Sequence, residues 1–144
     1  MELLGELACQ LNARIVYFDK KINNLFRDGM IQQLLDKNYI FISTDNSEKQ
    51  CENILLHELG HIYYEHKHYE THSWGWSNRQ EYEANHYMIK QRADQWLAQY
   101  DWEPQVIDIE AFLDYFELEH CHFSIAEIVF HELLSYNKLG AYEM

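Results

Sequence analysis

Proline, glycine and cysteine are scarce in this sequence. Its 144 residues include one proline, five glycines and three cysteines, while aromatic residues make up 15% of the chain. A chain rich in aromatic residues and poor in proline and glycine is typical of a globular protein, so extended disorder is excluded. The length fits one domain that is large enough to bury a hydrophobic core.

The three cysteines are scattered at Cys9, Cys51 and Cys121 and form no CxxC pair. Such an odd, dispersed set indicates reduced thiols and excludes both a disulfide framework and a cysteine zinc site. The chain begins MELLGELACQLN, which lacks the basic start of a signal peptide, and no apolar run approaches 18 residues. We therefore expect a cytoplasmic protein without a membrane segment.

Basic residues are also few. Eleven lysines and arginines face 24 acidic residues, which gives a formal net charge of −13 and a pI near 4.9. Nucleic acid and anionic membranes both require a basic surface, so direct binding to either is excluded. An acidic surface would suit a basic protein partner, although many acidic surfaces serve solubility alone.

The hydrophobic pattern predicts an α+β fold: a small antiparallel sheet beside a central helix, followed by a mainly helical C-terminal half. The central helix should open at a capping box of Ser47 and Gln50 and continue to about His66. The other predicted elements are a first helix in 1–12, strands at 13–19, 30–36 and 38–44, a long helix at 78–100, and two shorter helices within 106–118 and 124–137.

The central helix contains the stretch NILLHELGHIYYEH, residues 53–66. His57 and His61 are one helical turn apart, so their imidazoles can converge on a single metal ion, and Glu58 is placed to take a proton from a water there. A chance match is not negligible in a chain with nine histidines. The amphipathic context and Gly60, which costs about 1 kcal/mol in a helix interior, favour a metal site.

A catalytic zinc needs a third protein ligand and one open position. A third histidine in the pattern HExxHxxGxxH is excluded because Tyr64 and Lys67 occupy the required positions. Glu81 follows His61 by twenty residues on the next predicted helix and is the favoured ligand. Glu83 is the main alternative, since residues two apart on a helix point to different sides and only one can reach the ion. The remaining candidates are His72 and His86.

Three supporting roles remain open at the level of sequence. Asn85 could hydrogen-bond the outer nitrogen of a ligand histidine. The candidates for an oxyanion donor are Tyr63, Tyr64, His122 and His131. The segment at 66–78 is predicted to be a loop and contains two tryptophans. Within 65–72, His66, His68 and His72 could hold a second metal or form an active-site rim, although the composition is more typical of a solvated loop.

The sequence HELGH followed by ExEAN at residues 81–85 resembles the ImmA/IrrE family of small bacterial and phage metallopeptidases. The resemblance covers about residues 38–90. It departs from the family pattern at Tyr87 and Met88, where members usually carry Phe-Ala, so this chain resembles a divergent member. The resemblance implies a single zincin-like domain over 1–144, with a catalytic core at about 38–100 and a helical C-terminal part at about 105–137.

The resemblance also implies a function. His57, His61 and Glu81 would bind one zinc ion and Glu58 would be the catalytic acid/base of an endopeptidase. Its substrate would be a specific intracellular protein, namely a helix-turn-helix repressor of a prophage or mobile element. The alternatives are a metal-containing regulatory module that binds a repressor without cleaving it, and a toxin-like component of a two-gene stress module. Glu58 favours catalysis, because a module that only binds has no need of it.

Overall fold

The computed structural model describes residues 2–19, 29–34, 37–66, 76–100 and 106–142. The chain divides into two compact units, residues 1–84 and 85–144. The predicted α+β class is confirmed. The elements in chain order are α1 (Glu2–Gln10), β1 (Ala13–Phe18), β2 (Gly29–Leu34), β3 (Lys37–Ser43), α2 (Glu48–Tyr63), α3 (Asn78–Ala98), α4 (Ile109–Tyr115), a short 3-10 helix (His120–His122) and α5 (Phe123–Tyr142).

The three strands form one sheet in the order β1-β3-β2. The predicted antiparallel pairing is correct for β2 and β3, but β1 lies parallel to β3, so the sheet is mixed. The short connection makes β2 and β3 antiparallel neighbours and leaves the other edge of β3 for β1. Strand periodicity carries no information about direction, which is why the sequence pattern did not reveal the parallel pair.

The central helix α2 begins as predicted. The backbone N–H of Gln50 donates to the Ser47 hydroxyl at 3.1 Å, and the backbone N–H of Ser47 donates to the Gln50 side chain at 3.0 Å. This reciprocal pair satisfies donors that the first turn leaves unpaired. One face of α2 packs against β2 and β3 and buries Leu55, Leu56 and Leu59 almost completely.

The same helix ends three residues earlier than predicted, in a Schellman motif. Glu65 adopts the left-handed conformation with φ 54°. The backbone N–H of His66 donates to the carbonyl of His61 at 2.9 Å, and that of Glu65 donates to the carbonyl of Ile62 at 3.0 Å. These are the two hydrogen bonds that define the motif, and they turn residue 66 back toward the last turn of the helix.

Strand β2 passes very close to α2 at Gly29. A Cβ atom on Gly29 would lie 2.3 Å from Cγ2 of Ile54 and 3.4 Å from Oε1 of Glu58. Any larger residue would therefore collide with the β-branched side chain of Ile54, whose χ1 is stiff. The glycine lets the sheet edge approach the helix beside the motif glutamate.

The unit at 85–144 has an apolar and aromatic core. Phe112 of α4 makes edge-to-face contacts with Trp96, Phe116 and Phe130, an arrangement that aromatic rings favour. The buried guanidinium of Arg92 lies 4.8 Å from the ring centre of Phe116. None of the helices in the described part of the chain combines the length and the apolar character that crossing a membrane requires.

Candidate metal centre

Two helix segments bring together the side chains that the sequence pattern singled out. His57 and His61 project from consecutive turns of α2, and Glu81 stands in the first turn of α3. Nε2 of His57 and Nε2 of His61 each lie 3.2 Å from one oxygen of the Glu81 carboxylate. The ligand atoms of the three residues lie within 4.8 Å of one another, close enough to hold one metal ion.

A second capping box fixes where α3 begins and therefore where Glu81 lies. The backbone N–H of Gln80 donates to the Ser77 hydroxyl at 3.2 Å, and the backbone N–H of Ser77 donates to the Gln80 side chain at 2.9 Å. The next residue is Glu81, whose own backbone N–H donates to the carbonyl of Ser77. The sequence SNRQ thus starts the helix immediately before the carboxylate that faces α2.

The chemistry of the cluster fits a metal ion. His61 is 1% exposed, and its Nε2 is close to Glu81 without the alignment of a donor and an acceptor. This buried nitrogen has no hydrogen-bond partner among the residues that the structure describes. A buried polar atom without a partner is costly, and a cation at the meeting point of these atoms would compensate it. Two imidazoles and one carboxylate are a common ligand set for zinc.

Electrostatics favour, for His61 and Glu81, the protonation states that a metal requires. The facing imidazoles of His57 and His61 hold the pKa of Glu81 well below its ordinary value. Burial lowers the pKa of His61, and this effect exceeds the opposing influence of Glu81. Metal ligation requires ionised carboxylates and neutral imidazoles, so both shifts favour metal binding near neutral pH.

Glu58 lies on the same helix, one residue after His57, and is only 7% exposed. Its Oε1 is directed toward β2, where the missing side chain of Gly29 leaves room for it. A carboxylate that lies beside candidate metal ligands and is sheltered from bulk water is suited to proton transfer. Glu58 is thus a buried carboxylate next to the cluster, whereas Glu81 is a half-exposed carboxylate within it.

The contact of His66 with a candidate ligand is a feature that the sequence analysis did not predict. The loop it begins was expected to be solvated, yet the His66 side chain is 6% exposed. Its Nδ1 lies 2.8 Å from Nδ1 of His61, the outer-nitrogen position for which Asn85 had been considered. The signal in the sequence is the spacing of five residues between two histidines at a helix end. That spacing brings side chains together only in a Schellman motif, and the predicted helix end was three residues too late.

The remaining candidates lie elsewhere or stay untested. Glu83 faces His66, with Oε1 3.5 Å from Nε2 of that ring, and His86 lies 3.4 Å from Glu132. Tyr63 and Tyr64 are 56% and 39% exposed, and neither is identified as an oxyanion donor by any contact described. His122 and His131 belong to the unit at 85–144, and His68, His72 and Trp74 lie outside the described residues.

A cavity of about 930 Å³ opens beside the cluster within the unit at 1–84. Its lining includes His61, His66 and Trp76, together with Ile31 of β2 and Asn38 of β3. Trp76 stacks on the His61 imidazole, with ring centres 4.1 Å apart and planes at 17°. Its walls are mixed polar and apolar, and a space of this volume can hold several residues of a peptide.

A partly buried cluster of two histidines and a glutamate, supplied by two helices beside a small sheet, is the kind of ligand set that zinc metallopeptidases use. The family known as Peptidase_M78, the IrrE N-terminal-like domain, matches residues 8–93. The chain therefore belongs to this family, as the resemblance predicted, and the match reaches further toward the N-terminus than the HELGH and ExEAN motifs do. No curated protein and no solved structure matches the chain.

Proposed function

We propose that the protein is a zinc endopeptidase, with one zinc ion bound by His57, His61 and Glu81 and with Glu58 as catalytic acid/base. The observation that carries the proposal is the convergence of both imidazole Nε2 atoms on the Glu81 carboxylate, each at 3.2 Å. The ligand chemistry supports zinc over harder cations such as Mg²⁺ or Ca²⁺, which prefer oxygen ligands. Three protein ligands leave a coordination position for the reaction, as catalytic zinc sites require.

The side chains divide the work of peptide hydrolysis. Zinc, when bound, supplies Lewis acidity toward water and toward a peptide carbonyl. Glu58 accepts a proton from a water molecule while the oxygen of that water attacks the carbonyl carbon. Glu58 then delivers a proton to the amide nitrogen as the C–N bond breaks, so that a carboxylate and an amine leave the site. Trp76 and the apolar flanks of α2 shelter His61 from bulk water, which strengthens the electrostatic interactions of this ligand.

The proposed substrate is a helix-turn-helix repressor of a prophage or mobile element in the same cytoplasm. Family membership supports a protein substrate. The formal net charge of −13 supports a basic partner, because DNA-binding repressors carry a positive surface and opposite charges speed association. The cavity beside His61 offers room for a peptide segment of such a protein.

The test compares wild-type protein with Glu58→Gln, using the repressor encoded beside this gene as substrate. We expect wild-type protein to cleave the repressor and a chelator to abolish cleavage. Glu58→Gln should bind zinc with unchanged stoichiometry and should cleave at least about 100-fold more slowly, because general acid–base catalysis contributes about 10²–10⁴ in rate. Glu52→Gln is the matched control, since it removes a carboxylate from the same helix outside the cluster, and its activity should equal that of wild type.

Three outcomes would contradict parts of the proposal. Cleavage that survives both the chelator and Glu58→Gln would exclude the hydrolytic role of this site. Failure of wild-type protein to bind zinc would exclude the ligand set. A stable complex with an intact repressor would favour the alternative of a regulatory module that binds without cleaving.

A further inference from the structure

The two ring nitrogens of His61 have different surroundings. Nε2 faces Glu81 and belongs to the candidate ligand set, whereas Nδ1 lies 2.8 Å from Nδ1 of His66. A distance of 2.8 Å between two ring nitrogens requires a shared proton, because two lone pairs would repel each other. One of the two imidazoles must therefore donate and the other must accept.

Metal binding decides which imidazole donates. A nitrogen that binds a metal carries no proton, so a neutral His61 that binds through Nε2 keeps its proton on Nδ1. Nδ1 of His61 then donates to Nδ1 of His66, and the proton of a neutral His66 must lie on its Nε2. That nitrogen makes no hydrogen bond within the described residues, but it lies 3.5 Å from Oε1 of Glu83, which also pairs with Arg79 and whose negative charge favours a proton there. A proton on Nδ1 of His61 and another on Nε2 of His66 are therefore compatible with each other and with the charge of Glu83.

The backbone holds His66 in place for this contact. The left-handed Glu65 and the hydrogen bond from the His66 N–H to the His61 carbonyl return residue 66 to the last turn of α2. The imidazole of His66 stacks on Tyr64 at 5.7 Å between ring centres, and its side chain is almost fully buried. Because a buried ring with a fixed backbone loses little further entropy, His66 is prepared to orient its neighbour.

We propose that His66 is a positioning residue of the metal site: it accepts the Nδ1 proton of His61 and so fixes that ligand in the tautomer and ring orientation in which Nε2 binds the ion, while Glu83 stabilises the matching tautomer of His66. The proposal rests on the ligand set given under the proposed function. His66 itself lies outside that set, because its Nδ1 contacts the outer nitrogen of His61 and its Nε2 faces Glu83.

The test measures zinc affinity by competition with a chromophoric chelator. His66→Phe keeps a flat ring but removes the acceptor, and it should weaken zinc binding about 10–100-fold, the usual cost of losing such a partner. His66→Asn places an amide oxygen where Nδ1 was, and it should bind zinc within about threefold of wild type. Glu83→Gln should have a smaller effect than His66→Phe. The matched control is His120→Phe, which removes an exposed histidine that pairs with Asp114.

A spectroscopic readout separates orientation from mere packing. In zinc-loaded wild-type protein the Nδ1 proton of His61 should give a downfield proton NMR signal that exchanges slowly with water, because the proton is buried in a hydrogen bond. The signal should persist in His66→Asn and should disappear or exchange rapidly in His66→Phe. Thermal unfolding of the metal-free variants identifies any variant that fails to fold.

The outcomes distinguish this inference from the proposed function. If wild-type protein binds no zinc, the ligand set is wrong and the positioning role is excluded with it. If wild type binds zinc and His66→Phe binds it equally well, only the positioning role is excluded. Equal losses in His66→Phe and His66→Asn would also exclude it, because the restored acceptor would then have no effect.

Discussion

Helices α2 and α4 end in the same backbone motif, but the side chains at the paired positions differ. In α4 the left-handed residue is Glu117, with φ 55°, and the N–H of Leu118 donates to the carbonyl of Leu113 at 2.8 Å. In α2 the corresponding hydrogen bond joins His66 to His61. The motif usually has apolar residues at these two positions, and in α4 both are buried leucines.

This comparison distinguishes side chains that stabilise the fold from side chains that belong to the candidate site. Leucines at these positions gain burial energy without any need for partners. Imidazoles at the same positions carry polar atoms that must be desolvated, which costs stability unless each atom finds a partner. The backbone motif is therefore generic, and the proposed metal site gives a reason for the imidazole pair. Buried polar groups that destabilise the fold are expected at functional sites, so these imidazoles support a functional site at the end of α2.

The largest expected effect comes from making the end of α2 resemble that of α4. We expect the double substitution His61→Leu and His66→Leu to abolish zinc binding, because one ligand and its partner are lost. In the metal-free state the free energy of unfolding should stay unchanged or rise by about 1 kcal/mol or more, since apolar replacement of buried polar pairs is often neutral or stabilising. Urea unfolding in the presence of a chelator measures this change.

The matched substitution in α4 is Leu113→Ala. It should lower the free energy of unfolding by about 2–5 kcal/mol, as removal of a fully buried leucine generally does. It should leave zinc affinity as in wild type. A double leucine variant of α2 that loses more than about 1 kcal/mol in the metal-free state would show that the imidazole pair supports the fold, and the contrast between the two helix ends would fail.

The pH dependence of stability provides a sharper comparison. Burial lowers the folded-state pKa of His61 below its ordinary value of 6.5. The unfolded chain then binds the proton more readily, so this contribution to stability is complete above pH 6.5 and is lost as the pH falls through the folded value. Glu81, whose pKa is also lowered, adds a second loss below its ordinary value of 4.5.

Metal-free wild-type protein should therefore lose stability between pH 7 and 5. The slope attributable to His61 is at most that of one proton, about 1.4 kcal/mol per pH unit. The double leucine variant should show a shallower slope in this window, because it lacks the titrating group. Urea titrations at several pH values, with chelator present, give both slopes. Equal slopes in the two proteins would contradict the pKa shift assigned to His61.

Local patterns in the sequence were sufficient for some features and insufficient for others. The spacing of His57 and His61 on one helix and the capping box of Ser47 and Gln50 act over three or four residues, so they determine the local geometry. The direction of β1 and the burial of His66 depend on how distant segments meet. In the Schellman motif that ends helix α2, Glu65 adopts the left-handed conformation. Glycine or asparagine usually occupies such a position, so a glutamate there did not indicate a helix end.

The smallest expected effect concerns that left-handed conformation at both helix ends. A residue with a Cβ pays about 1–2 kcal/mol there, whereas glycine is free of this strain but loses more backbone entropy on folding. Glu65→Gly and Glu117→Gly should therefore each change the free energy of unfolding by less than about 1 kcal/mol, in the stabilising direction. Because the backbone of the two ends is the same, the two values should agree within about 0.5 kcal/mol. A clear loss at Glu65 alone would show that its side chain has a role at the metal site that Glu117 does not share.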